Sequence, residues 1–352
     1  VTSLLADLPP LDVAAGPRVA APLPADRPVR WGVLATGKIA TTFARNLAQA
    51  DGCEVTAVAA RRLESAVRFA AEHGIGTAYG DYRALVEDPE VDVVYVATPH
   101  ALHKEHVMLA FEAGKPVLCE KAITLTGDDA AELAAEARAR GLFLMEAMWM
   151  RCLPMIRRLG QLVDSGAIGE VRQVRADLGF RVDKPPTDRL LDPALGGGAL
   201  LDMGIYPLTF AHLFLGEPAH VAATAGLSGS GVDLDIAMVQ SYASGAIAAL
   251  TASMTSLSPR TASIATDLGR LDFGEAFHHP RTVTWTGADG STETLHEPFL
   301  GTGLVHEALE VVRCLRNGEI ESPLVPLDET VALMRQMDVI RRQVGVRYAA
   351  DR

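Results

Sequence analysis

From Val29 onward the chain alternates short apolar runs with longer segments in which apolar residues recur every three or four positions. VRWGVLA, EVTAVAA, VDVVYVAT, PVLCEK and LFLMEAM read as five strands. GKIATTFARNLAQA, LESAVRFAAEHG, HKEHVMLAFEAG and TGDDAAELAAEARARG read as the helices between them. Strands that are apolar almost throughout, separated by amphipathic helices, predict a parallel sheet covered on both faces. Gly74, Gly114 and Gly141 each follow a helix, where a left-handed cap is expected.

After about Met150 the rhythm changes. PMIRRLGQLVDSGAIG reads as one helix and GGGALLDMGIYPLTFAHLFLG as another helical region. HVAATAGL, LDIAMVQSY, AIAALTASM, TASIAT, RLDF, RTVTWT and TETLH then alternate, separated by Gly, Ser and Asp turns. Those are hairpin signals of an antiparallel sheet. Two late helices follow, near GLVHEALEVVRCLRNG and PLDETVALMRQMDVIRRQVG. The expected fold is α/β: a dinucleotide-binding domain with a parallel sheet over 29–150, then an α+β domain with a large, mostly antiparallel open sheet over 151–352. Residues 1–28 are rich in Ala and Pro and read as an extended arm, disordered or wrapped on a partner subunit. Asp7 and Asp12 interrupt any apolar core there, which argues against a signal peptide.

Composition narrows the class. With 49% hydrophobic and 22% charged residues, the 352-residue chain reads as a soluble globular protein of two domains. A net charge of -12 argues against a general affinity for nucleic acid or an anionic membrane. No apolar run looks long enough to span a bilayer. Cys53, Cys119, Cys152 and Cys314 are far apart, form no C-x-x-C and read as reduced thiols of a cytoplasmic protein.

The candidate chemistry begins at WGVLATGKIA, a strand running through a glycine turn into a helix. The usual dinucleotide fingerprint is G-x-G-x-x-G/A, and Ala35 stands at its first glycine. Gly37 would let the backbone approach a pyrophosphate, and Ala40 would let the helix pack on the strand. The methyl of Ala35 fits if that position keeps a negative φ. Thr36, Gly37, Lys38 and Ile39 are then the residues expected against the phosphates, at a helix N-terminus. The plainer reading is a βα turn without a nucleotide. The second strand ends in AVAARRLE, where Ala60 takes the place of the acid that an NAD enzyme uses for its ribose hydroxyls. Arg61 and Arg62 follow, and arginines suit a 2′-phosphate. NADP is therefore expected over NAD.

ATPHALH leaves the third predicted strand at its carboxyl end, where ligands of open α/β sheets bind, and CEK leaves the fourth at the same edge. Ala97, Thr98, Pro99, His100, Glu120 and Lys121 are expected beside the cofactor. Lys121 can donate a proton to an oxygen receiving a hydride, and a positive nicotinamide beside it should lower its pKa. Asp202 and Tyr206 are four apart, which puts them on one face of a helix. Pro207 directly after suggests a kink or a fresh helix start.

WGVLATGKIA, VATPHALHKEH, AGKPVLCEK and GGGALLDMGIYPL together resemble the glucose–fructose oxidoreductase / inositol dehydrogenase (Gfo/Idh/MocA) family, over both domains. The resemblance implies a Rossmann domain followed by a domain whose open sheet commonly mediates oligomerisation, hence a homodimer or homotetramer. Lys121 matches the family's catalytic lysine, in a motif usually written E-K-P; here Ala122 replaces the proline. By resemblance Tyr206 is a second proton donor, Asp202 orients substrate or lysine, and His103 sits beside the cofactor. A lysine nearby should favour the Tyr206 phenolate. EAMWMRCLP resembles the inter-domain hinge and, with GIYPL, is closest to the dimeric dihydrodiol dehydrogenase branch. Trp149 walls the nicotinamide pocket or packs between domains, and Arg151 is expected to contact cofactor phosphate or substrate. Phe180, Arg181 and Asp183 in FRVDKPP are expected near the substrate mouth.

The spacing of His100, His103 and His106 drifts around a helix, and no metal is expected. His278 and His279 read as a surface turn. The function expected is NADP-dependent hydride transfer to or from a CH–OH carbon of a small polyol: a sugar, inositol or trans-dihydrodiol. The alternatives are a keto-sugar or imine reductase on the same scaffold, and a non-catalytic NADP-binding sensor.

Overall fold

The structure, a computed structural model, describes residues 4–5, 8–348 and 351. Six strands form the first sheet: β1 (Val29–Leu34), β2 (Cys53–Ala59), β3 (Thr77–Tyr79), β4 (Val93–Val96), β5 (Val117–Cys119) and β6 (Leu144–Glu146). Helices α1 (Lys38–Leu47), α2 (Leu63–His73), α3 (Tyr82–Val86), α4 (His103–Glu112) and α5 (Gly127–Arg140) connect them. The order is β3-β2-β1-β4-β5-β6, all parallel. Trp31, Phe43 and Tyr95 are fully buried between sheet and helices, and Phe43 stacks on Tyr95 at 3.7 Å. The sequence predicts five of these strands. β3 escapes because three half-buried residues carry no period.

The strand ends fix the site. Leu34 pairs with Ala59 on one side and Val96 on the other, and Val96 pairs with Cys119. The segments leaving β1, β2, β4 and β5 therefore emerge along one edge, around the point where strand order reverses. Gly74 and Gly141 cap their helices in the left-handed region, as their positions predict.

Helix α6 (Pro154–Asp164) leads into β7 (Val171–Gly179), and α7 (Ile205–Leu215) precedes a run of strands. These are β8 (His220–Leu227), β9 (Asp233–Ser241), β10 (Ile247–Ser253), β11 (Ala262–Thr266), β12 (Gly269–Phe273), β13 (Thr282–Gly287) and β14 (Thr292–His296). They form one sheet in the order β14-β13-β12-β11-β7-β10-β9-β8, antiparallel except for the β7–β10 pair. β7 is the strand the sequence reading missed, because Arg172, Gln173 and Arg175 break its apolar run. Helix α7 covers one face of the sheet, while Val239 and Ile247 are exposed on its strands.

Helices α8 (Val305–Arg316) and α9 (Leu327–Val344) return to the first domain, α9 packing along α5 and α8 against α1. The described residues of the N-terminal arm make contacts along their own chain. Arg18 bridges Glu319, Ile320 N donates to Pro17 O at 2.9 Å, and Arg158 reaches the Pro9 carbonyl. Residues 1–3, 6 and 7 lie outside the described residues.

One helical stretch, Pro193–Leu215, is long and apolar enough to cross a bilayer, contrary to the sequence expectation. Most of it is buried inside the protein, and it is a helix of the second core that interrupts its own hydrogen-bond ladder. It contains a short 3-10 turn (Pro193–Leu195) and a π-helical segment (Leu200–Gly204) before α7. The ladder is re-set just ahead of Pro207, which has no N–H to offer.

Candidate active site

A cavity of about 550 Å³ runs along the carboxyl edge of the parallel sheet. A second chamber of about 220 Å³ adjoins it under the antiparallel sheet. Lys121, Asp202 and Tyr206 line both, so they stand where the two spaces meet.

Thr36, Gly37, Lys38 and Ile39 line the larger cavity at the start of α1. Gly37 occupies the N-cap and no side chain caps the helix, so its first N–H groups are left for another acceptor. A Cβ built at Gly37 would meet nothing within 4 Å, so glycine here keeps open a space that this protein leaves unfilled. Ala35 corrects one expectation. Its φ is +84°, left-handed, and its N–H donates to Ala59 O at 2.9 Å. The chain therefore keeps the glycine-like turn in spite of the methyl, at a cost of about 1 kcal/mol. Arg61 and Arg62 line the cavity at the end of β2, with Ser65 and Tyr82 beside them. Those last two went unnoticed in the sequence. No carboxylate lines that end of the cavity among the described residues. The donor set thus fits a dinucleotide with an extra phosphate on its ribose.

Ala97, Thr98, Pro99, His100, His103 and Glu120 line the next part of the wall. His103 is buried with Nδ1 2.9 Å from Ala122 O and Nε2 2.7 Å from Thr98 O. It sits between the loop after β4 and the loop after β5. His100 does the same between Lys121 O at 3.1 Å and Gly196 O at 3.0 Å. Burial pushes both imidazoles down, to about 4 for His100 and about 3 for His103, so at neutral pH each is neutral and donates its single N–H to one of its two carbonyls. The Lys121–Ala122 peptide is cis. Glu146, also buried, accepts from Ile123 N at 3.0 Å and from Thr330 of α9 at 3.2 Å, holding the strand end that carries the lysine.

Lys121 Nζ donates to the main-chain oxygen of Asp202 at 2.6 Å, lies 3.5 Å from its Oδ1, and sits 5.0 Å from the Tyr206 ring centroid. Burial opposes its charge, but Asp202, Tyr206 and Glu120 outweigh that and raise its pKa above 10.5. Asp202 is shared with Arg189, 3.3 Å away. Burial works against its charge too, yet Lys121, Arg189 and His100 hold it down at about 2. Tyr206 goes the other way. Burial pushes it up to about 12 despite the attraction of Lys121, so it is a neutral phenol and not the favoured phenolate expected from the sequence. Trp149 Nε1 donates to its oxygen at 2.8 Å, which leaves the phenolic proton free to be given elsewhere.

Five residues are not where the sequence places them. Arg151 is buried away from both cavities, donating to Leu324 O at 2.6 Å and paired with Glu329, so it fastens α9 and cannot reach a ligand here. Of FRVDKPP, Phe180 lines the chamber, whereas Arg181 and Asp183 are exposed and absent from its wall. His278 and His279 do sit in a turn, but a half-buried one that faces the chamber rather than the surface. His279 stacks on Trp149 with centroids 5.6 Å apart and His278 lies 5.0 Å from the Tyr206 ring, both lining the chamber with Arg260. Trp149 thereby serves both its readings: it lines the larger cavity and packs on loops of the second sheet.

Asp233, at the start of β9, was also invisible in the sequence. It is fully buried, and its Oδ2 accepts the Leu200 N–H at 2.6 Å, capping the π-helical segment that carries Asp202. Burial raises its pKa from 3.8 to about 6. The folded state therefore binds the proton more tightly than the unfolded chain. This contribution to stability is full below pH 3.8 and is lost as pH rises through about 6. Asp233→Asn keeps an oxygen for Leu200 and removes the buried charge. It is expected to flatten that loss in a pH series of urea denaturation curves, whereas Asp233→Ala is expected to cost about 2 kcal/mol.

Comparison with known proteins agrees with this geometry. Residues 29–148 match the oxidoreductase family with an NAD-binding Rossmann fold, and residues 156–272 match the GFO/IDH/MocA C-terminal domain. The chain is 35% identical over 336 residues to trans-1,2-dihydrobenzene-1,2-diol dehydrogenase of Mus musculus, covering 92% of this chain and 99% of that one. The Homo sapiens protein of the same name is also 35% identical, over 333 residues, with the same coverage. Among solved structures, a 3-ketoreductase from Actinomadura kijaniata in complex with NADP is similar at TM-score 0.82 and 31% identity, covering 90% of this chain and 98% of that one. An aldose-aldose oxidoreductase from Caulobacter crescentus complexed with glycerol reaches TM-score 0.83 at 25% identity, covering 91% and 98%.

Proposed function

Since the chain belongs to the GFO/IDH/MocA family of oxidoreductases, we propose that it is an NADP-dependent enzyme acting on a CH–OH carbon of a small polyol. The observation that carries this reading is the junction of the two cavities. Lys121, Asp202 and Tyr206 are the residues with a face on both, so a substrate carbon and a cofactor would meet beside the lysine. The hydride is the chemistry that a bound nicotinamide supplies.

The side chains supply the rest. In reduction, the Lys121 ammonium gives a proton to the carbonyl oxygen, while Tyr206 donates a hydrogen bond to the same oxygen. In oxidation, the neutral lysine amine takes that proton back. Asp202 holds the lysine in place through its main-chain oxygen and holds it charged through its carboxylate. Arg61 and Arg62 take the 2′-phosphate. The similarity to a ketoreductase found with NADP supports both the cofactor and the reducing direction as a second reading of the same site. The four cysteines, none of them in a disulfide, support a cytoplasmic setting. The exposed Val239 and Ile247 on the second sheet support a homodimer or homotetramer built through it.

The test is a screen of sugars, inositols, trans-dihydrodiols, ketones and imines for NADPH formation or consumption. Turnover of one class that disappears in Lys121→Ala supports the reading. Cofactor binding with no turnover of any class favours a sensor. The pH profile adds a sharper check. Lys121 is held charged above its ordinary 10.5, so oxidation should quicken as pH rises toward that range. Asp202→Asn removes the main upward pull, and the alkaline limb of the oxidation profile should move to lower pH. A limb that stays in place would mean that another group is titrating.

A further inference from the structure

The wall of the smaller chamber carries, beside Tyr206, a group of polar atoms that no step uses. Arg260 precedes β11 and His278 follows β12, and Phe277 N donates to Arg260 O at 3.1 Å, tying the two loops together. Arg260 Nε and His278 Nδ1 are both buried, and neither has a hydrogen-bond partner. A buried nitrogen left unpaired costs about 1–3 kcal/mol, and here two stand in residues lining one chamber. Arg260 also holds a left-handed backbone, φ +56°, which a side-chain-bearing residue rarely adopts. Its guanidinium already grips one carboxylate, that of the exposed Glu275.

We propose that Arg260 and His278 form a subsite for a carboxylate, so that the substrate is an anionic polyhydroxy acid of monosaccharide size. This rests on the oxidoreductase reading above and narrows its substrate.

Charge favours an acid over a neutral sugar. The chamber is lined by two fixed cations, Lys121 and Arg260, and by one carboxylate, Asp202. Asp202 is already shared between Lys121 and Arg189. Among the described residues Arg260 is paired with the exposed Glu275, and an incoming carboxylate can replace or join that partner. Burial keeps His278 neutral, so it can donate a hydrogen bond without adding a second charge. Leu178, Met203 and Phe180 give the chamber an apolar side suited to the C–H face of a ring. A volume of about 220 Å³ suits a ring of monosaccharide size.

The test is calorimetric titration of the protein saturated with NADPH. The ligands are D-glucuronate, D-galacturonate and D-gluconate, each beside its neutral parent sugar. The acids are expected to bind tenfold or more tighter, roughly the worth of one charge-assisted pair. Arg260→Gln should abolish that preference while NADPH affinity stays the same, which also reports that the variant is folded. Glu275→Gln, at the exposed rim, should strengthen the acids, and it keeps the proposal open to test should Arg260→Gln fail to fold. Equal binding of acids and neutral sugars, binding of neither, or a preference that survives in Arg260→Gln would overturn the subsite. Turnover of a neutral polyol without any preference for acids would sink the subsite and leave the oxidoreductase reading intact. Tight, Arg260-dependent binding of acids without any NADP-linked turnover would do the reverse.

Discussion

Lys121→Ala is expected to lower turnover by about 10³-fold while leaving NADPH affinity nearly unchanged. The lysine is the charged proton donor at the junction, an ammonium at neutral pH. Tyr206 is pushed up to about 12 and loses part of the attraction that opposes that shift when the lysine goes. Asp202 at about 2 has no proton to give. The phosphate end of the cavity, at α1 and the end of β2, is untouched by the change. The fold should survive too, because Arg189 still partners Asp202. Single-turnover kinetics at saturating cofactor, with calorimetry beside them, separates the chemical step from binding. Unchanged turnover would remove Lys121 from the mechanism.

Replacing Arg61 and Arg62 together by alanine is the second large expectation. NADPH affinity should fall roughly 30- to 100-fold, as two charge-assisted bonds to a phosphate are lost and solvent screens part of the effect. NADH affinity should hardly move, because the 2′-phosphate is the only group that NADH lacks. The ratio of the two dissociation constants is therefore the quantity to follow. A variant that weakens both cofactors alike would place the arginines on the adenine or the pyrophosphate.

The cofactor side of the site was legible in the sequence because it is local. Each strand of the parallel sheet ends on residues adjacent in the chain, so WGVLATGKIA, AARR, ATPH and CEK each deliver a short consecutive piece of wall. Lys121, Asp202 and Tyr206 come from two distant motifs, and the family resemblance joins what spacing alone cannot. The substrate side was not legible for the opposite reason. Arg189, Arg260, His278 and His279 stand in loops around a sheet whose strand order, β11 beside β7 beside β10, follows from long-range pairing. FHHP offers no periodicity, and only the buried Phe277 marks it as anchored. Arg151 was misplaced because charge in a hinge resembles charge in a site. The difference is its partner Glu329, which lies 178 residues away on α9. Ala35 shows a further limit, since the residue type argued for a negative φ and the pairing of β1 with β2 imposed a positive one.

The most direct measurement is calorimetric titration of the purified protein with NADPH and with NADH, separately. One site per chain and markedly tighter binding of NADPH are expected. Equal or tighter binding of NADH would contradict the arginine clamp, and binding of neither by well-folded protein would contradict the nucleotide cleft on which the whole reading stands.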